Sequence, residues 1–145
     1  AKCLLIRQKI ILLYSDLCIS PANNCISILN IVLIDDDPIS TFVTEKLISK
    51  NVKEPCKFFK YQSAQRALDE ISNIKPHYLF LDLNMPEMNG WDFLDKFHPS
   101  DNDARIYILS SSVDERDINK ASQYQIVKEY LSKPLIKQYI KNIFN

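Results

Sequence analysis

Residues 28–34 are apolar at every position but Asn30, the pattern of a strand buried on both faces. The period then changes. Asp37-Pro38 opens a helix with proline in its first turn, and Ile39, Phe42, Val43 and Leu47 fall on one side of it. Residues 57–61 have the aromatic content of a short strand. Ser63 caps a second predicted helix, in which Ala64, Ala67, Leu68 and Ile71 keep i, i+3, i+4, i+7 spacing. A third strand covers 78–81, and a loop through 84–89 leads to a helix near 91–97. Residues 106–109 form a fourth strand, 114–123 a weakly apolar helix and 127–131 a fifth strand. Pro134 starts a last helix with Ile136, Tyr139, Ile140 and Ile143 on one face.

Strands alternating with amphipathic helices imply an α/β fold, a parallel sheet covered on both faces by right-handed crossovers. In such sheets function sits at the carboxyl ends of the strands, beside the switch in strand order. The residues at those ends therefore carry the functional argument.

Composition narrows it further. A length of 145 residues with 46% hydrophobic content suits one domain with a proper core. The single glycine excludes both a P-loop and a dinucleotide fingerprint, which need two and three. Any phosphate chemistry must then use side chains and a metal. The balance of 18 basic and 18 acidic residues removes the electrostatic case for direct nucleic-acid binding.

Residues 1–27 read as foreign to the rest of the chain. Lys2, Arg7 and Lys9 against Asp16 leave the first 34 residues at +2 and the remainder at −2. Cys3, Cys18 and Cys25 lie in this stretch, and Cys56 is the fourth. No pair has C-x-x-C spacing, and His77 and His98 are distant in sequence, so neither a zinc site nor a disulfide framework is supported. Free thiols in a cytoplasmic protein are the expectation. The apolar run 10–14 behind basic residues faintly suggests a signal peptide, but Ser15-Asp16 cuts it short, and it is too short to span a bilayer. Residues 1–27 are read as an N-terminal arm, with an added helix or strand covering the core as the alternative, and 28–145 as the folded domain, with no membrane insertion.

Strand one ends in Asp35-Asp36-Asp37, strand three in Asp82 followed by Leu83-Asn84-Met85-Pro86, strand four in three serines and strand five in Ser132-Lys133-Pro134. Each alone is an ordinary cap, turn or helix start. Together they converge on one rim. Asp35, Asp36 and Asp82 place three negative charges in a confined space, which repulsion disfavours without compensation. A divalent cation and Lys133 neutralise them. Mg2+ suits such oxygen donors, with Mn2+ as an alternative occupant. A metal-neutralised carboxylate beside a lysine and a hydroxyl can accept a phosphoryl group.

The segments IVLIDDDP, LFLDLNMPEMNG, IYILSSS and EYLSKP resemble the receiver domains of two-component response regulators, in matching order over residues 28–144. The resemblance implies a doubly wound, flavodoxin-like five-stranded parallel sheet in the order 2-1-3-4-5. It implies that Asp82 is the phospho-acceptor and that Asp36 is a direct metal ligand, with Asp35 acting mostly through water. The backbone carbonyl of Asn84 completes the protein's share of the metal shell. Lys133 pairs with the carboxylate and then the phosphoryl group, Ser110 turns toward it, and Tyr130 is the aromatic switch. Asn84 and Ser112 occupy positions that tune phosphate lifetime. Pro134 follows a cis peptide. Gly90 meets the need for permissive backbone and close packing in the loop after strand three.

The implied function is a single-domain response regulator that takes a phosphoryl group from a sensor histidine kinase or a histidine phosphotransfer protein. Because the sequence ends just after the last helix, output is expected through a downstream protein docking near Tyr130, Ile126, Tyr139 and Phe144. It is not a metabolic enzyme; it catalyses only its own phosphorylation and dephosphorylation. A haloacid-dehalogenase-like phosphatase needs a second acid where Asn84 stands, and a flavodoxin loop would not carry three aspartates against the flavin phosphate. A non-phosphorylated scaffold is the remaining alternative. His77, at the amino end of strand three, and His98 are assigned no chemistry, and Trp91, Phe93 and Phe97 are read as core and helix surface.

Overall fold

The computed structural model describes residues 27–98 and 104–145. Residues 1–26, with the arm's three cysteines, lie outside the described residues. The elements run β1 (Leu29–Ile34), α1 (Pro38–Asn51), β2 (Cys56–Tyr61), α2 (Ala64–Ile74), β3 (Tyr78–Leu81), α3 (Gly90–Lys96), β4 (Arg105–Ser110), α4 (Glu115–Ala121), β5 (Val127–Ser132) and α5 (Lys137–Phe144). The strands form one parallel sheet in the order β2-β1-β3-β4-β5, as expected.

Alternation along each strand sorts the core into two layers. Val32, Ile34, Leu79, Leu81, Ile106 and Ile108 face α2, α3 and α4, where Ala67, Ile71, Phe93 and Ala121 meet them. Ile31, Leu33, Phe80, Leu109 and Leu131 face α1 and α5, where Ile48, Ile140 and Ile143 close the other side. Side-chain caps define four helix starts. Asp37 accepts from the Ile39 N–H at 2.9 Å, Ser63 from Arg66 at 3.4 Å, Asn89 from Asp92 at 2.9 Å and Asp114 from Arg116 at 2.9 Å. Among the described residues no helix is long and apolar enough to cross a membrane.

Two expected faces are corrected. The buried side of α1 is Thr41, Thr44 and Ile48, while Ile39, Phe42 and Val43 are 72%, 54% and 47% exposed. The helix turns its threonines toward the polar end of the sheet, where the Thr41 hydroxyl donates to the Pro38 carbonyl at 3.0 Å. The last helix starts at Lys137, after Ile136, rather than at Pro134. Leu135 fills the core at 5% exposure and Ile136 turns outward.

Candidate functional site

The register brings the carboxyl ends of the strands level. Ile34 pairs with Leu81 and Leu81 with Ile108. The Asp82 N–H donates to the Ile34 carbonyl at 2.8 Å and the Lys133 N–H to the Ser110 carbonyl at 2.9 Å, so pairing continues one residue past the strands. Asp35, Asp82 and Lys133 are therefore placed by backbone.

Asp35 and Asp82 are buried, at 5% and 6% exposure, and Asp36 is exposed. One oxygen from each of the three carboxylates lies within 4.8 Å of the others. Lys133 Nζ bridges the two buried acids, 2.6 Å from Asp35 Oδ2 and 3.0 Å from Asp82 Oδ2. Burial pushes the Asp82 carboxyl above the usual carboxylate range, and the Asp35 charge adds to this; the hydrogen bond and charge of Lys133 oppose the shift without cancelling it. Burial also opposes the Lys133 charge, but its bonds to Asp35 and Asp82 prevail and hold the ammonium above the ordinary lysine value.

These electrostatics leave a net negative pocket of hard oxygen donors with one ammonium, a set that fits a small divalent cation. The third acid of the run has a different task, since Asp37 caps α1 and stands outside the carboxylate cluster. Beside the pocket runs a cleft of about 340 Å³, lined by Ile39, Ser40, Val43, Ser111, Lys133 and Pro134 among others.

The remaining expected residues fall around the same rim. Ser110 is fully buried, and its Oγ accepts from the Ser112 N–H at 3.2 Å. The Tyr130 hydroxyl donates to the Ser112 carbonyl at 2.9 Å. Asn84 is exposed, and its N–H lies 3.4 Å from Asp82 Oδ1. The Lys133–Pro134 peptide is cis.

Gly90 occupies a close approach rather than a left-handed turn. It has no positive φ, and the loop's positive φ belongs to Glu87 at 65°. A Cβ on Gly90 would stand 2.5 Å from the Asp82 carbonyl oxygen and 2.9 Å from Leu83 Cα. His77 sits at the opposite end of the sheet, where Nδ1 accepts from the Asn30 N–H at 3.0 Å. Trp91 stacks on Tyr124 and Phe93 is core. Of the surface expected for docking, Ile126 and Tyr130 pack on one layer while Tyr139 and Phe144 pack on the other.

Two contacts were missed in the sequence. The Ser40 hydroxyl donates to Asp35 Oδ2 at 2.5 Å, and the Ser112 hydroxyl donates to Asp117 Oδ2 at 2.6 Å. The available signal was the hydroxyl pair Ser40-Thr41 in the opening turn of α1 and an acid in the first turn of α4.

A sequence profile of the response regulator receiver domain matches residues 31–145. The nitrate/nitrite response regulator protein NarL of Escherichia coli K12 is 32% identical over 88 residues, 61% of this chain. The match spans 40% of that protein's length. A two-component response regulator from Cytophaga hutchinsonii superposes with a TM-score of 0.73 at 31% identity, covering 80% of this chain and 93% of that one. A CheY-like receiver domain protein from Methanospirillum hungatei shares the fold at 17% identity and TM-score 0.67, over 80% of this chain and 90% of its own.

Proposed function

The chain belongs to the response regulator receiver domain family of two-component signalling, and on that premise we propose that Asp82 is its phosphoryl acceptor. The observation that carries this is the Asp82 carboxylate, buried between Lys133 at 3.0 Å and the acids Asp35 and Asp36. An Asp82 oxygen attacks the phosphorus of a phosphohistidine. The P–N bond breaks, the imidazole leaves with the electron pair, and an aspartyl phosphate remains. Asp36, Asp82 and the Asn84 carbonyl would hold Mg2+ or Mn2+, which would neutralise the charge gathering on the transferred group.

The chain's own groups do the rest. Lys133 is held ready by both carboxylates and can follow the new negative charge. The Ser110 hydroxyl is buried on the same rim and can turn from the Ser112 N–H toward a phosphoryl oxygen. Tyr130 would follow that movement, which biases the docking surface by a population shift. Ile39, Phe42 and Val43 leave an apolar strip beside the cleft that leads to Lys133. This strip suits the docking of a histidine kinase or histidine phosphotransfer protein.

The test is intact mass after incubation with acetyl phosphate, with and without Mg2+, beside Asp82→Asn. One added phosphoryl group that needs Mg2+ and is absent in the variant is the expected result. No adduct, even with a beryllofluoride mimic, would overturn the reading in favour of a scaffold.

A further inference from the structure

Asp35 is engaged on three sides by protein. Its Oδ1 accepts from the Asp37 N–H at 3.0 Å, and its Oδ2 takes the Ser40 hydroxyl at 2.5 Å together with Lys133 at 2.6 Å. A carboxylate offers about four acceptor sites, so one remains. Asp36 is exposed, and among the described residues Asp82 meets only Lys133 and a long Asn84 contact at 3.4 Å. The three acids are thus unequal before any cation arrives.

Ser40 is the third residue of α1. Helical Cα–Cβ bonds tilt toward the amino terminus, so a side chain in the first turn reaches back to the end of β1. A serine there brings a hydroxyl onto Asp35; an aliphatic residue would bring none. When Lys133 moves off Asp35, the Ser40 hydroxyl and the Asp37 amide are the two donors that still fix the carboxylate plane.

We propose that Ser40 is a positioning residue for the acidic pocket: it pins Asp35 so that Asp36 and Asp82 take the cation directly while Asp35 orients bound water. This rests on the proposed role of the pocket as a Mg2+ site. Hydrogen-bond partners behind a metal's ligands hold them in place, and losing one costs about 10–100-fold in affinity; Ser40 acts one contact further out, through Asp35 and its water, so the lower end applies.

The experiment is calorimetric titration of the metal-free full chain with Mg2+, comparing wild type, Ser40→Ala and Ser40→Thr, with thermal unfolding in EDTA as a check of folding. Ser40→Ala is expected to weaken Mg2+ binding about tenfold, and Ser40→Thr to restore it by keeping the hydroxyl. A second readout needs no metal. In EDTA the Asp35 13Cγ resonance is expected to move in the alanine variant and to return in the threonine variant. Should the alanine variant not fold, Ser40→Cys replaces it, being close in size and a weak donor. A variant without the hydroxyl that binds Mg2+ as tightly as wild type would overturn the proposal alone. Wild-type protein that binds no Mg2+ would overturn the pocket reading with it.

Discussion

The Tyr130 hydroxyl donates to the Ser112 backbone carbonyl at 2.9 Å, across the gap between β5 and the loop after β4. Ser112 is the hub of that loop. Its N–H reaches Ser110 Oγ at 3.2 Å, and its own hydroxyl donates to Asp117 in α4 and accepts from the Asp114 N–H at 3.3 Å. A change at Ser110 therefore reaches both Tyr130 and α4 through one residue. Tyr130→Phe keeps the ring and removes the tether. Amide exchange at Ser112 and Asp114 should accelerate by the equivalent of about 1 kcal/mol, with global stability nearly unchanged. Hydrogen exchange by NMR checks this, and unchanged protection would mean the tether is idle.

Lys133→Met leaves two buried carboxylates without their cation. Breaking a buried pair by removing one partner costs about 3–5 kcal/mol, so a loss toward the lower end is expected at neutral pH, because the Lys133 side chain keeps 16% of its surface exposed. The deficit should shrink in acid, where Asp82, whose carboxyl is already held above the usual range by burial, takes up its proton. Urea unfolding at two pH values decides it, and a loss independent of pH would point to packing instead.

Asp82 gives the metal-free protein a particular acid limb. Its folded pKa lies above the ordinary 3.8 because burial dominates, so the folded state holds this proton to higher pH than the unfolded chain. Stability contributed at this site therefore falls as pH rises from the ordinary carboxylate range through the raised value, and stays reduced above it. Lys133, also raised, keeps its full contribution below the ordinary lysine value and loses it only as pH climbs through the higher folded one. Asp82→Asn should remove the acid-side decline. Denaturant midpoints in EDTA across that window, wild type against variant, are the measurement, and parallel curves would contradict it.

Gly90→Ala tests the close approach beside Asp82. The new Cβ would press on the Asp82 carbonyl at 2.5 Å and on Leu83 Cα at 2.9 Å, both backbone atoms with little freedom to yield. A cost of about 1–3 kcal/mol is expected. Because the displaced backbone carries Asp82, phosphorylation by acetyl phosphate should slow as well. Wild-type stability and rate together would show that α3 can slide away at no cost.

The orientation of α1 predicts opposite costs on its two sides. Phe42→Ser should stay within about 0.5 kcal/mol of wild type, as surface changes do. Ile48→Ala should cost about 2–5 kcal/mol, since Ile48 is fully buried. Thermal unfolding of the pair settles the face, and it leaves Phe42→Ser available for measuring transfer from a phosphodonor.

Most of the framework was legible in the chain. Short apolar and aromatic runs place the strands, and spacing of three to four places the helices, to within a few residues, and β3 is Tyr78–Leu81 as expected. The acids, the serines and the lysine were found because they sit at the ends of apolar runs. The α1 face was not legible. Its apolar residues form a respectable stripe, and only packing shows that Thr41 and Thr44 point inward while Ile39, Phe42 and Val43 stay outside. Hydrophobic spacing identifies a face but not its partner, and a face kept for another protein looks the same as one kept for the core.

Local chemistry settled what depends on near neighbours: Asp37 and Ser63 as caps, the buried aliphatic strands, and the grouping of chemistry at strand ends. Contacts between distant segments required the folded sheet. Lys133 lies 51 residues from Asp82 and Tyr130 lies 18 from Ser112, and the order and register of the strands, with the loop after β4, bring each pair within reach. The same holds for Gly90, whose need is space beneath Asp82 rather than a positive φ. One-dimensional pattern carries periodicity and charge; which atoms share a volume is decided by how the sheet pairs.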